Sequence, residues 1–284
     1  MKKIILTFAS IALVASFSLT SCKKDKEALY DQSAVDNAKA DAQFNDLDNI
    51  TTDAMISNDD NLGLRGEEVS GTSNFCGAVT INTTTKTIVI DFGAGTTCDD
   101  GRTRKGKINI TYTGRYLTPG TVITTTPQEY YVNGVKIEGT KTVTNISTSD
   151  TPTHRVQITG GKITDTDGTS VTWNATRKRE WLSGYGDFPI INAFNDTFRI
   201  SSFEADGTIA NGTNRQGKAY TTKITKPLVV ETACFLEGSR KFTEGTYSVI
   251  SESSTRTIDF GNGECGGTIT VTLSNLGTFT FTVE

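Results

Sequence analysis

The sequence predicts an all-β protein: an antiparallel meander of about a dozen strands, forming a sandwich or a strongly curved sheet, with one short helix ahead of it. Three observations predict this. From Gly71 onward roughly one residue in five is threonine, which suits a pleated, half-solvated surface. Apolar residues in the same region recur with period two, as in an antiparallel sheet with one buried and one wet face. Turn signals such as "GAG", "TPG", "VNG", "TGG", "EADG", "GNG" and "SNLG" recur every eight to twelve residues or so.

The chain begins "MKKIILTFASIALVASFSLTSC". Lys2 and Lys3 form a positive start and Ile4 to Phe17 an apolar stretch too short for a comfortable transmembrane span, the pattern of a secretory signal. Leu19-Thr20-Ser21-Cys22 resembles the bacterial lipobox. In lipoproteins of that type the cysteine sulfur carries diacylglycerol, and cleavage leaves an acylated cysteine first. Residues 1–21 are thus expected to be a lipoprotein signal peptide and Cys22 the lipidation site. Two or more acyl chains, at about 0.8 kcal/mol per buried CH₂, anchor stably. Loss of Lys2 and Lys3 takes the net charge from −4 to −6. No later stretch reads as a membrane-spanning helix, and no basic cluster points to nucleic acid.

Residues 22–70 read as an acidic, partly helical tether. Residues 23–70 carry five basic and twelve acidic side chains. Val35, Ala38, Ala42, Leu47, Ile50 and Ala54 form a weak helical stripe. One helix is expected within about residues 26–56, acting as a spacer above the membrane rather than as a partner-binding helix.

Residues 71–284 read as the β domain. "KTIVIDF" places Ile88, Ile90 and Phe92 on one face, and "KINITY" does the same with Ile108, Ile110 and Tyr112. "TITVTL" and "TFTFTV" continue the alternation through Val283. The phrase "IDFGAGTTC" at Ile90–Cys98 returns as "IDFGNGEC" at Ile258–Cys265. Its glycines suit a positive-φ chain reversal, and Asp91 and Asp259 are expected to point outward. The repeat suggests two similar units, about 74–146 and 228–284, flanking a middle β segment. Each copy has one further cysteine upstream, at an expected strand start. Four cysteines allow three pairings; parallel copies imply Cys76–Cys98 and Cys234–Cys265. Zinc is disfavoured, because its ligands usually come as C-x₂₋₄-C pairs. The Asp-Phe-Gly of the phrase is not a kinase motif, since the only histidine, His154, stands in "THRVQ" and no H-R-D loop exists.

At this point the residues resemble a group of β-rich surface lipoproteins of two-membrane bacteria. The resemblance rests on the lipobox Cys, the acidic helix, "FGxGxxCxDGRxRxGKIxITYTGRY", "YxVNGVKIEGTKTVTN", "WNATRKREW", "NRQGKxYTTKITKPLV" and the terminal "IDFGxGxC". It covers nearly the whole mature chain. It implies an outer-membrane lipoprotein with a palmitate-type anchor, and the charged "KKDKE" after Cys22 looks like a surface-display signal, favouring the cell surface over the periplasmic face.

Candidate sites are few. "TWNATRKREWLSGYGDF" carries Trp173, Trp181, Tyr185 and Phe188, which with Arg177, Arg179 and Asp187 form a candidate sugar-binding face. Trp173, Ala175, Arg177, Arg179 and Trp181 share one parity, which favours core packing. "TDTDG" makes Asp165 and Asp167 calcium candidates, as does "CDDGRTRKG"; ordinary Asp-Gly turns account for both segments. Glu180 and Asp187 are nominal hydrolase carboxylates. With one histidine and no GxSxG elbow, no catalytic residue or cofactor is assigned. The expectation is a non-enzymatic surface module for a glycan, a surface protein or a structural coat. The alternative is a carbohydrate-active hydrolase.

Overall fold

A computed structural model describes residues 31–62, 68–70, 76–148, 151–184, 196–236, 242–252, 254–274 and 276–283. The signal segment, Cys22, Tyr185, Asp187 and Phe188 lie outside the described residues.

The first element is helix α1, Gln32–Ser57. Asp31 caps it by accepting the Ala34 N–H at 3.0 Å, which satisfies a donor that a helix start leaves open. Neither glycine nor proline interrupts the run, and at 1.5 Å per residue it extends about 39 Å. Leu47, Ile50 and Ala54 are fully buried, as the stripe predicts, but Ala42 is exposed and Val35 and Ala38 are only half-buried. Ala40, Phe44 and Met55 complete the apolar face. Asp36, Asp46, Asp48 and Asp53 are buried beside them. This overturns the spacer: the helix is the centre of the fold. A one-turn helix, α2 (Asp59–Leu62), follows it.

The strands are β1 (Glu68–Ser70), β2 (Ala78–Asn82), β3 (Thr87–Asp91), β4 (Thr96–Thr97), β5 (Thr103–Tyr112), β6 (Val122–Val132), β7 (Val135–Asn145) and β8 (Thr153–Thr164). They continue as β9 (Ser170–Ser183), β10 (Thr197–Ser201), β11 (Thr208–Thr213), β12 (Ala219–Glu231), β13 (Glu244–Ser251), β14 (Thr255–Asn262), β15 (Gly267–Leu273) and β16 (Gly277–Val283). A short helix, α3 (Thr232–Leu236), separates β12 from β13. Among the described residues all sixteen strands form one sheet, in nearly sequential order. The excess over a dozen comes from short pieces. β4 pairs only β5, while β10 and β11 share one lane between β9 and β12.

The sheet is rolled, not stacked as a sandwich. One apolar core joins α1 to inward residues of β2, such as Ile81, through Ile108, Ile123, Ile137, Ile158 and Trp173 to Val249 of β13. Laid flat, the nine lane spacings from β2 to β13 would span about 43 Å. Yet Asp46 and Asp48, two residues apart on α1, pair with Arg104 of β5, Lys141 of β7 and Arg179 of β9, lanes that a flat sheet would spread over about 19 Å, so the sheet must wrap around the helix. Register shifts in the β5–β6, β6–β7, β7–β8 and β8–β9 pairs supply the bends. Gly106 (φ +85°) makes the first of these feasible, because a Cβ there would lie 1.9 Å from the Glu129 carbonyl oxygen. Gly161 lets β8 close on the helix, since its Cβ would meet the Trp173 carbonyl at 2.3 Å and the Phe44 ring at 3.0 Å. A second cluster of Ile200, Ile209, Ile224, Leu228, Val230 and Phe242 fills the space around β10–β12.

The repeated phrase has one local structure in both copies. The Gly93 N–H bonds Asp91 Oδ1 at 2.8 Å, and the Gly261 N–H bonds Asp259 Oδ1 at 2.8 Å. Both glycines take positive φ. The copies differ in burial: Ile90 and Phe92 are in the core, whereas Ile258 and Phe260 are half-buried. The disulfides are Cys76–Cys98 and Cys234–Cys265, the pairing that the repeat implies. Cys234 sits in α3 rather than at a strand start.

Candidate functional site

β9 presents Trp173, Ala175, Arg177, Arg179 and Trp181 to the interior, as their shared parity predicts. Trp173 is 1% exposed and Trp181 6%, so neither ring is a surface platform for sugars. The Trp173 ring stacks on Phe44 of α1 at 5.4 Å, and its Nε1 donates to Asn37 Oδ1 at 3.0 Å. Thr222 Oγ1 on β12 donates to the same oxygen. The guanidinium of Arg177 lies over Trp173, and that of Arg179 over Trp181.

Each of these arginines meets an aspartate of the helix. Arg177 Nη1 lies 2.5 Å from Asp41 Oδ1. Arg179 Nη1 lies 2.7 Å from Asp48 Oδ2, and its Nη2 donates to the Tyr116 hydroxyl at 2.8 Å. Lys141 of β7 also donates to Asp48. Towards the helix C-terminus from Asp41, Asp46 accepts from Arg102 at 2.7 Å and from Arg104 at 2.9 and 3.1 Å. Arg104 is completely buried and is clamped from its far side by Asp100. Near the helix start, Arg215 grips Asp36 through Nε, Nη2 and its backbone N–H. The interior is therefore an ionic seam, with acids from one helix and bases from β5, β7, β9 and the β11–β12 turn.

The electrostatics follow from this pairing. Burial alone would raise the Asp48 pKa, but Lys141 and Arg179 more than reverse that and hold it below the ordinary carboxylate range. Burial lowers the Lys141 pKa, partly offset by Asp48. His154 is 1% exposed. It stacks on Tyr116 at 5.0 Å and meets Trp181 edge-on at 5.3 Å. Burial, assisted by nearby Arg179, pushes its pKa down to about 3.

The other sequence candidates are also occupied. Both Asp165 oxygens lie 2.5 Å from Lys39 Nζ. Asp167 Oδ1 accepts the Thr169 N–H and hydroxyl at 2.9 and 2.7 Å. These are a salt bridge to the helix and a hairpin turn. In "CDDGRTRKG", Asp100 likewise accepts the Arg102 N–H while clamping Arg104. Glu180 is held by Lys178 at 2.7 Å and Arg199 at 3.1 Å. Burial would raise its pKa, but those cations bring it below normal, opposite to the need of a glycosidase general acid. The only metal-compatible grouping among the described residues is Glu231, Cys234 and Cys265. Two of its three ligand atoms are already joined in a disulfide.

Sequence reasoning missed Asp36, Asp46, Asp48, Arg104, Lys141 and Arg215. A signal for the bases existed. Arg104 shares parity with Ile108 and Ile110, and Lys141 with Ile137 and Val143, so both belong to the inward face.

These features define a class of protein: one wide antiparallel meander rolled around its own acidic N-terminal helix and locked by buried ion pairs. Comparison with protein-family models, curated proteins and solved structures finds no match for the chain. Among the described residues no helix is long and apolar enough to cross a membrane.

Proposed function

We propose that this chain is an exported lipoprotein, held at the outer membrane by acyl chains on Cys22, whose β-body is a non-catalytic surface module for binding or structure. The N-terminal "SFSLTSC" supports the anchor, and two disulfides suit an oxidising compartment. The observation that carries the non-catalytic part is the engagement of the polar interior. Among the described residues the interior acids and bases, Glu180 included, are engaged in ion pairs between structural elements. Any ligand, glycan or surface protein, is then met on the outer face, where Thr111, Lys107, Arg155 and Lys162 are exposed.

The test has two arms. In membrane fractions and detergent partition, Cys22→Ser releases the protein into the soluble phase; continued membrane association removes the anchor. The purified protein is also screened against glycans and surface proteins, with release of reducing sugar as a readout. Sugar release that Glu180→Gln abolishes would overturn the non-catalytic reading.

A further inference from the structure

The two ends of the sheet are unlike. β1 is three residues long and carries Glu68, a short charged edge of the kind that resists pairing. β16 is seven residues long, Gly277–Val283, without a charge or a proline. Its pairing with β15 runs through seven consecutive partners with no register shift. The long β5–β6, β6–β7, β7–β8 and β12–β13 pairs are all interrupted. Among the described residues β16 pairs only with β15, so its outer row of backbone donors and acceptors is presented at the sheet edge. Within the strand there is no charge, proline or bulge of the kind that blunts an edge. Thr278 and Thr280 are exposed, and Leu276 at the preceding turn is 52% exposed.

The strand is also symmetric in sequence. Thr278-Phe279-Thr280-Phe281-Thr282 reads the same in both directions about Thr280. We propose that β16 is a homotypic docking edge, on which a second copy of this chain lays its own β16 antiparallel about a two-fold axis at Thr280. That register sets Thr278 against Thr282 and Phe279 against Phe281, so like residue types meet within 278–282, with Gly277 opposite Val283 at its ends. No charge within the strand faces another. An isologous contact of this kind closes at two copies, giving one sheet continuous through both. The inference goes beyond the lipoprotein reading and is independent of the anchor.

Cysteine cross-linking of the full chain tests the register. About the two-fold axis, position 280 meets its own copy with Cβ atoms about 4.5–5.5 Å apart, close to what a disulfide needs. Position 278 is four residues out of register with its copy, about 13 Å away and beyond reach. Under mild oxidation Thr280→Cys gives a covalent dimer on a non-reducing gel, whereas Thr278→Cys and the parent chain do not. In sedimentation, Thr280→Lys and Thr280→Glu are each monomeric, and their equimolar mixture recovers the dimer. A parent chain that stays monomeric at all concentrations overturns the proposal, as does Thr278→Cys linking as readily as Thr280→Cys. Circular dichroism of each variant separates loss of pairing from loss of fold; if the lysine and glutamate variants unfold, the cysteine pair decides alone.

Discussion

Arg104, Lys141, Arg177 and Arg179 occupy inward positions on their strands, where a hydrocarbon side chain would ordinarily stand. Each is tolerated there because α1 brings a carboxylate to it; a buried unpaired cation would cost several kcal/mol. His154 belongs to the same interior but has a different electrostatic role. Its folded pKa, about 3, lies below the ordinary imidazole value of 6.5. Between those values the unfolded chain binds the proton and the folded chain does not, so stability falls as pH falls through that window. Going from pH 7 to pH 5, His154 alone should remove about 2 kcal/mol. Urea melts at the two pH values check this, with His154→Phe expected to flatten the difference. A variant that retains the full drop would assign the pH sensitivity elsewhere.

At the scale of elements, α1 behaves as a polar core helix. Its acids are distributed around it rather than gathered on one solvent face, and the rolled sheet answers them from several strands. Breaking one partner of a buried pair typically costs about 3–5 kcal/mol. Lys141→Ala should fall at the low end, about 3 kcal/mol, because Arg179 still neutralises Asp48. Pairing it with Asp48→Asn should cost less than the sum of the single losses, since the two groups are in direct contact. Equilibrium denaturation of the three variants measures both quantities. A loss below about 1 kcal/mol for Lys141→Ala, the range of exposed pairs, would mean that the seam is hydrated.

For the whole molecule, the helix is the mandrel on which the sheet closes. Ile81 of β2 and Val249 of β13 belong to one core with Phe44, Leu47 and Ile50 of the helix. A chain beginning at residue 63 should therefore lack a cooperative melt. Adding a synthetic peptide of residues 31–58 should restore near-UV circular dichroism and a melting transition. If the truncated chain melts at the parent temperature, the helix is an appendage after all. The disulfides assist differently. They pin Cys98 and Cys265, the last residues of the two copies of the repeated phrase, to Cys76 and Cys234 upstream, and stabilise chiefly by restricting the unfolded chain.

The all-β class, the inward sets on β3, β5 and β9, the Asp-Gly turns and the cysteine pairing were legible in the sequence. These are local properties, set by side-chain alternation, by glycines at positive φ and by a repeated phrase with its cysteines in register. The burial of Trp173 and Trp181 was legible too, because parity on one strand fixes which residues share a face. The place of α1 was not. An acidic, weakly amphipathic segment reads as solvated whenever its partners are unknown, and those partners lie from about 56 to 179 residues away along the chain. Only the tertiary structure brings Asp36, Asp46 and Asp48 to Arg215, Arg104, Lys141 and Arg179. Complementary charges at long sequence separation turned what looked like a tether into the core, because the desolvation of each group is repaid only when both arrive together.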